Sequence, residues 1–217
     1  MKKNQIVVVL VMLALVGGYF GYLRYDHYKL IKTIKPNVMN TSLLLSNSIR
    51  HLGEESSKIE LRELYPKMKE NISAMDKPIQ DVQRLATSKN KGVIEPVILY
   101  MKTSQDLLRS IRTQSESLVV VLAILDRSQR ALEEHNRYRL NSTLIRLKIA
   151  YDGMPEAQKK AYRDMTDVIK LSNKMKEAHA KIATLMPTEA LVDLKVFDSV
   201  IKNIEKFQAN FPADVKD

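Results

Sequence analysis

The feature that most constrains this chain is an uninterrupted apolar run, Ile6 to Leu23, near its start. As a helix, 18 such residues span about 27 Å at 1.5 Å per residue, close to the ~30 Å of a bilayer's hydrocarbon core. A secretory leader has a shorter apolar centre, roughly 7 to 15 residues, and then a small-x-small cleavage site. Here Tyr22, Leu23, Arg24 and Tyr25 close the run, and no such site appears. The chain has no Cys, which excludes a lipid-modified N-terminal cysteine and disulfides. The expectation is an uncleaved signal anchor at 6–23, preceded by a short tail at 1–5 and followed by a domain at 24–217.

Aromatic residues mark the edge of the run. Tyr19, Phe20, Tyr22, Tyr25 and Tyr28 fall within ten positions, and tyrosine favours the membrane–water boundary. Tyr19, Tyr22, Arg24 and Tyr25 are therefore the expected membrane-interface residues. Gly17 and Gly21 form a G-x-x-x-G, a spacing that lets two membrane helices approach closely. A weak homodimer through that face is an expectation of the motif. The short tail carries Lys2 and Lys3, and long domains cross membranes largely regardless of charge. These points favour an N-in orientation in a cytoplasmic membrane, with the C-terminal domain periplasmic or extracellular.

Beyond the run, helical periodicity is nearly continuous and strand-like alternation is absent. Ile31, Ile34, Val38, Leu45, Ile49 and Leu52 continue from the anchor and stop before Gly53. Leu61, Leu64, Met68, Ile72, Met75, Ile79, Val82 and Leu85 keep one seam through Pro78, where a kink is expected. "SKNKG" at 88–92 reads as a turn. "TQSES" at 113–117 is expected to break the next helix, because Ser and Thr favour caps. "LVVVLAIL" at 118–125 is apolar on every side and is expected to be fully buried. "GMPEA" at 153–157 and "LMPTEA" at 185–190 each place a proline where it could open a helix. After them run Met165, Val168, Ser172, Met175, His179, Ile182 and Met186, then Leu191, Leu194, Phe197, Ile201, Ile204 and Phe207. The expected fold is all-α: a transmembrane helix followed by an elongated antiparallel bundle of about five to six helices, with coiled-coil-like seams. The outline is similar in architecture to bacterial chemoreceptor ectodomains, without the second span and the signalling helices of those receptors.

Chemistry-bearing patterns are sparse. The histidines are His27, His51, His135 and His179, and none pairs with another at helical spacing. The metalloprotease, nucleophile-elbow and phosphate-loop motifs do not occur. No catalytic residue, cofactor or metal ligand is expected. After the apolar run 33 Lys and Arg face 25 Asp and Glu. The excess is diffuse, and "DRSQRALEEHNRYR" alternates bases with acids, which argues against nucleic acid. The resulting expectation is a single-pass helical scaffold or accessory subunit of a bacterial cell-envelope assembly. Its partners would be the lipid bilayer and another envelope protein. The alternative is a ligand-binding or sensing bundle, with His135, Arg139 and His179 as its polar contact site.

Overall fold

The computed structural model describes residues 3–54, 58–133, 140–211 and 215, with side chains for 24–50, 64–131, 143–211 and 215. Among the described residues the chain is all-α. Six helices follow in order: α1 (Lys3–Glu54), α2 (Lys58–Ala74), α3 (Asp76–Arg84), α4 (Lys91–Glu133), α5 (Leu140–Ile182) and α6 (Leu194–Ala209). A single 3₁₀ turn, Thr188–Ala190, precedes α6.

Side-chain ties fix the directions. Asn71 Nδ2 donates to Ser48 Oγ at 2.9 Å, so α2 returns along α1. Tyr65 Oη donates to the Ser115 carbonyl and Gln105 Nε2 to the Ile72 carbonyl, so α2 and α4 run opposite ways. On α4 and α5 the pairs Tyr100–His179, Ser104–Met175 and Ser117–Asp164 advance on one helix as they retreat on the other. Gln208 of α6 reaches Tyr162 and Thr166 of α5, while Lys176 pairs with Asp198, which is again antiparallel. The result is an elongated bundle with one apolar core. Ile34, Val38, Leu45, Leu64, Met68, Met75, Ile94, Met101, Leu107, Met165, Met175 and Ile182 fill it. Each such side chain contributes about 1.5–3 kcal/mol by leaving water.

The seams expected from the sequence are the buried faces, with informative exceptions. The break beside Pro78 comes at Met75, and Pro78 itself sits in the first turn of α3. Proline lacks the N–H that the Ala74 carbonyl would need, so α2 ends there. The amide of the buried Gln105 then holds both sides, donating to Ile72 O (2.8 Å) and to Asp76 Oδ1 (2.7 Å).

The expected punctuation is corrected at three places. There is no break at 113–117: α4 runs through it. Thr113 and Ser115 turn their hydroxyls back onto the Arg109 and Ile111 carbonyls, and Ser117 bonds across to α5, so none of them is available to cap. There is no helix start at 153–157 either. Gly153 and Pro155 lie inside α5, on its exposed side, where the Tyr151 carbonyl freed by Pro155 can meet water. Pro187 opens only the 3₁₀ turn, and Asp193 caps α6 instead, its Oδ1 accepting from Lys195 N at 3.0 Å.

Among the described residues no helix is long and apolar enough to cross a membrane. The Ile6–Leu23 run has a helical backbone as the start of α1, but its side chains lie outside those described.

Candidate interaction surface

A further correction locates the site. "LVVVLAIL" at 118–125 is not fully buried. Val119 and Val121 are, whereas Val120, Leu122 and Leu125 are exposed. The cause is the length of α4 and α5 relative to their neighbours. Tyr65 of α2 meets Ser115, and α2 begins two turns further on, at Lys58. Gln208, near the end of α6, meets Tyr162. Past those levels, among the described residues, α4 and α5 extend as a two-helix arm of roughly 15–20 Å at 1.5 Å per residue.

The seam inside the arm is thin. Among its described side chains the buried members are Ala131, Thr143 and Ala150, small residues that enclose little apolar volume. The larger apolar side chains point outward instead. On α5 they form two adjacent rows at helical spacing, Leu144–Lys148–Tyr151 and Ile145–Ile149–Asp152. Ile145, Ile149 and Tyr151 are 60%, 68% and 79% exposed. A surface helix ordinarily turns its apolar stripe to the core. Here α5 carries a second stripe on the solvent side, of the kind that marks an interaction surface. Beside it a shallow groove of about 480 Å³ lies between Ser128 of α4 and Leu144, Leu147, Tyr151 and Met154 of α5. An Arg130–Asp126 ion pair at 3.1 Å decorates the α4 side.

A polar clamp fixes the root of the arm. The Ser117 hydroxyl donates to Asp164 Oδ2, and Lys160 Nζ donates to Ser117 Oγ at 2.6 Å and to Asp164 Oδ2 at 3.1 Å. A serine beside a lysine invites a catalytic reading, but the chemistry points to a structural tie. A lysine acting as base must be neutral and desolvated. Lys160 is 63% exposed and paired with a carboxylate. Ser117 is itself buried.

A second polar relay ties the C-terminal segment to the bundle. Tyr100 of α4 is fully buried, and its oxygen accepts from Val192 N at 3.0 Å. Ser42 of α1 donates its one hydroxyl proton to the Ala190 carbonyl at 2.9 Å, so the 2.9 Å contact between Ser42 and Tyr100 has Tyr100 as donor. The relay therefore runs Val192 N–H to Tyr100 O–H to Ser42 O–H to Ala190 C=O. Burial pushes the Tyr100 phenol up from its ordinary value, against the lowering effect of the Ser42 and Val192 hydrogen bonds.

The residues expected from sequence fare unevenly. Arg24 and Tyr25 are exposed on α1. Tyr19, Tyr22, Gly17 and Gly21 lie outside the described side chains, and His135 and Arg139 lie outside the described residues. His179 is half-buried, its ring centred 6.2 Å from that of Tyr100. Sequence reading missed the outer face of the arm. The signal was there: Leu144, Ile145, Leu147, Ile149 and Tyr151 surround the helix, where one stripe would suffice for a core.

No protein-family model matches the chain, and no curated protein or solved structure is significantly similar to it.

Proposed function

We propose that this protein is a single-pass, membrane-anchored helical scaffold or accessory subunit of a bacterial cell-envelope assembly. It acts by presenting the α4–α5 arm to a partner protein. The observation that carries this reading is the outward apolar face of α5, Ile145, Ile149 and Tyr151 foremost. Burying such side chains is favourable at roughly 25 cal/mol per Å², and a partner helix lying across the two rows would do so by ridge-into-groove packing. The anchor is Ile6–Leu23, with the domain outside the cytoplasmic membrane. Ser42 lies beside Tyr100 on helices that run in parallel, so the arm's tip stands roughly 80 Å from the end of the apolar run. An anchor at one end and an apolar arm at the other suit a spacer that holds a contact away from the bilayer.

The test places a photo-crosslinking residue at position 149 or 151 in the full chain, in its native membrane, with position 174 on the body of α5 as control. A discrete protein adduct from the arm positions and none from 174 is expected. Ile149→Arg should suppress the adduct formed from position 151 while leaving the amount of protein unchanged. Equal adducts from all positions, or lipid adducts alone, would overturn the reading. An adduct of twice the chain's mass would make the partner a second copy. Alkaline carbonate extraction tests the anchor separately, and the chain should stay in the membrane pellet.

A further inference from the structure

At the opposite end from the arm lies the larger cleft, of about 830 Å³. One wall is α1 shortly after the apolar run, and the other is the turn from α3 into α4. Its floor is apolar: Leu30, Leu85 and Val93, each half-buried. Its rim carries Lys29 from one wall and Lys89 from the other, both exposed. Among the described residues neither ammonium group has a carboxylate within ion-pair distance, whereas neighbouring Lys91 is paired with Glu95 at 3.4 Å. Asn90 shapes the turn, its Oδ1 accepting from Thr87 N and its Nδ2 donating to the Leu85 carbonyl. That bracing holds Lys89 opposite α1.

We infer that this cleft binds the phosphodiester of an anionic phospholipid headgroup, with Lys29 and Lys89 on the phosphate and the first acyl carbons on Leu30, Leu85 and Val93. Charge fits the assignment. Asp26 also stands on the rim, so its carboxylate and the two lysines leave one net positive charge, which one phosphodiester neutralises. Depth fits as well. Lys29 is six residues past Leu23, about 9 Å along α1. The polar layer of a leaflet is roughly 5–8 Å thick, and lysine side chains reach toward it. Two lysines from separate elements, over an apolar floor at headgroup depth, match a lipid better than a free anion, which would have no use for that floor. The inference rests on the reading of Ile6–Leu23 as an anchor.

The experiment uses the full chain in neutral detergent micelles and follows thermal unfolding against added phosphatidylglycerol, phosphatidylcholine or inorganic phosphate. A saturable rise in Tm with phosphatidylglycerol is expected, with little from phosphatidylcholine and none from millimolar phosphate. Lys29→Gln and Lys89→Gln should each weaken the phosphatidylglycerol response about fivefold, the usual value of one lysine at an anionic surface. Both side chains are exposed, so folding should survive, and Lys174→Gln and Lys202→Gln serve as distant controls. Equal responses to both lipids, or variants no weaker than the controls, would overturn the inference. A response to inorganic phosphate matching that to phosphatidylglycerol would replace the lipid with a soluble anion. Carbonate extraction tells failure of the anchor from failure of the cleft, because micelle binding does not depend on it.

Discussion

Replacing Tyr100 with Phe removes one oxygen from the middle of a buried relay and leaves the ring, and so the packing, in place. Three groups are affected. Val192 N–H loses its acceptor in a buried position, Ser42 loses an incoming hydrogen bond, and the Ala190 carbonyl keeps the proton of Ser42. An unsatisfied buried donor costs about 1–3 kcal/mol, and a hydroxyl that keeps its own donor bond costs little more. The expected destabilisation is therefore about 2 kcal/mol. Ser42→Ala should cost a similar amount, because it strands both the Tyr100 O–H and the Ala190 carbonyl. When Tyr100→Phe is already present, Ser42→Ala strands only the carbonyl. The double variant should thus be about 1 kcal/mol more stable than the two single losses summed, the signature of residues in one network. Denaturant unfolding of the full chain in micelles, followed by circular dichroism, gives the three free energies. Hydrogen exchange at residues 190–192 gives the local readout, with faster exchange expected at the Val192 amide in Tyr100→Phe. Additive losses together with unchanged exchange there would refute the relay.

Tyr100 also gives the bundle an alkaline limit. Its folded pKa lies above the unfolded value of about 10, so the folded chain holds a proton that the unfolded chain releases first. Stability from the neutral phenol is complete below pH ~10 and falls as pH rises toward the folded value, and Tyr100→Phe should flatten that fall in a pH series of unfolding midpoints. Ile72→Asp puts a charge against Met68, Met75 and Ile79, and should cost at least ~3 kcal/mol or abolish cooperative unfolding in a thermal melt. Asp164→Ala should cost about 1–2 kcal/mol by leaving the Ser117 hydroxyl without its acceptor, whereas Lys160→Met should cost under ~1 kcal/mol because that lysine is mostly solvated. Urea midpoints of the two variants decide between a clamp centred on Asp164 and one centred on Lys160.

The core faces were legible because burial is periodic. Met68, Ile72, Met75, Ile79 and Val82 recur at three and four, and each is buried. The helix ends were less legible because punctuation acts only where packing lets it. Pro78 ended α2, since it has no N–H for the Ala74 carbonyl, and Ala74 is the last residue of that helix. Pro155 ended nothing, since α4 lies alongside α5 through that level and the lost bond faces water. Ser115 and Ser117 carry the residue types of a cap, but their hydroxyls found partners within α4 and on α5, which a local reading does not see. Phe207 marks the same limit from the other side. It continues the α6 stripe in sequence, yet is 46% exposed, packing edge-on to Phe211 at 5.5 Å.

The arm was hidden for a related reason. Apolar content alone says that a segment is to be covered, not by what. Val119 and Val121 are buried as Ile34 and Val38 are, although Val120 and Leu122 beside them are exposed, so apolar positions that differ in cover look alike in sequence. The difference lies in lengths. α4 and α5 are 43 residues each, while α2 is 17 and α6 is 16. Two of the helices packed on the α4–α5 hairpin, α2 and α6, are less than half its length and leave part of it bare. If the hairpin served only the fold, its bare part would be expected to carry polar residues on the outer face. It carries Leu144, Ile145, Ile149 and Tyr151 instead. Those residues add nothing to the bundle's own core, and exposed they favour aggregation. The partner contact proposed above would account for both the surplus length and the surplus apolar face. The same reasoning separates the arm from the basal cleft. The arm's outer face offers apolar area with one lysine and one aspartate, which suits a protein surface, whereas the cleft sets two lysines above a small apolar floor, which suits a lipid headgroup.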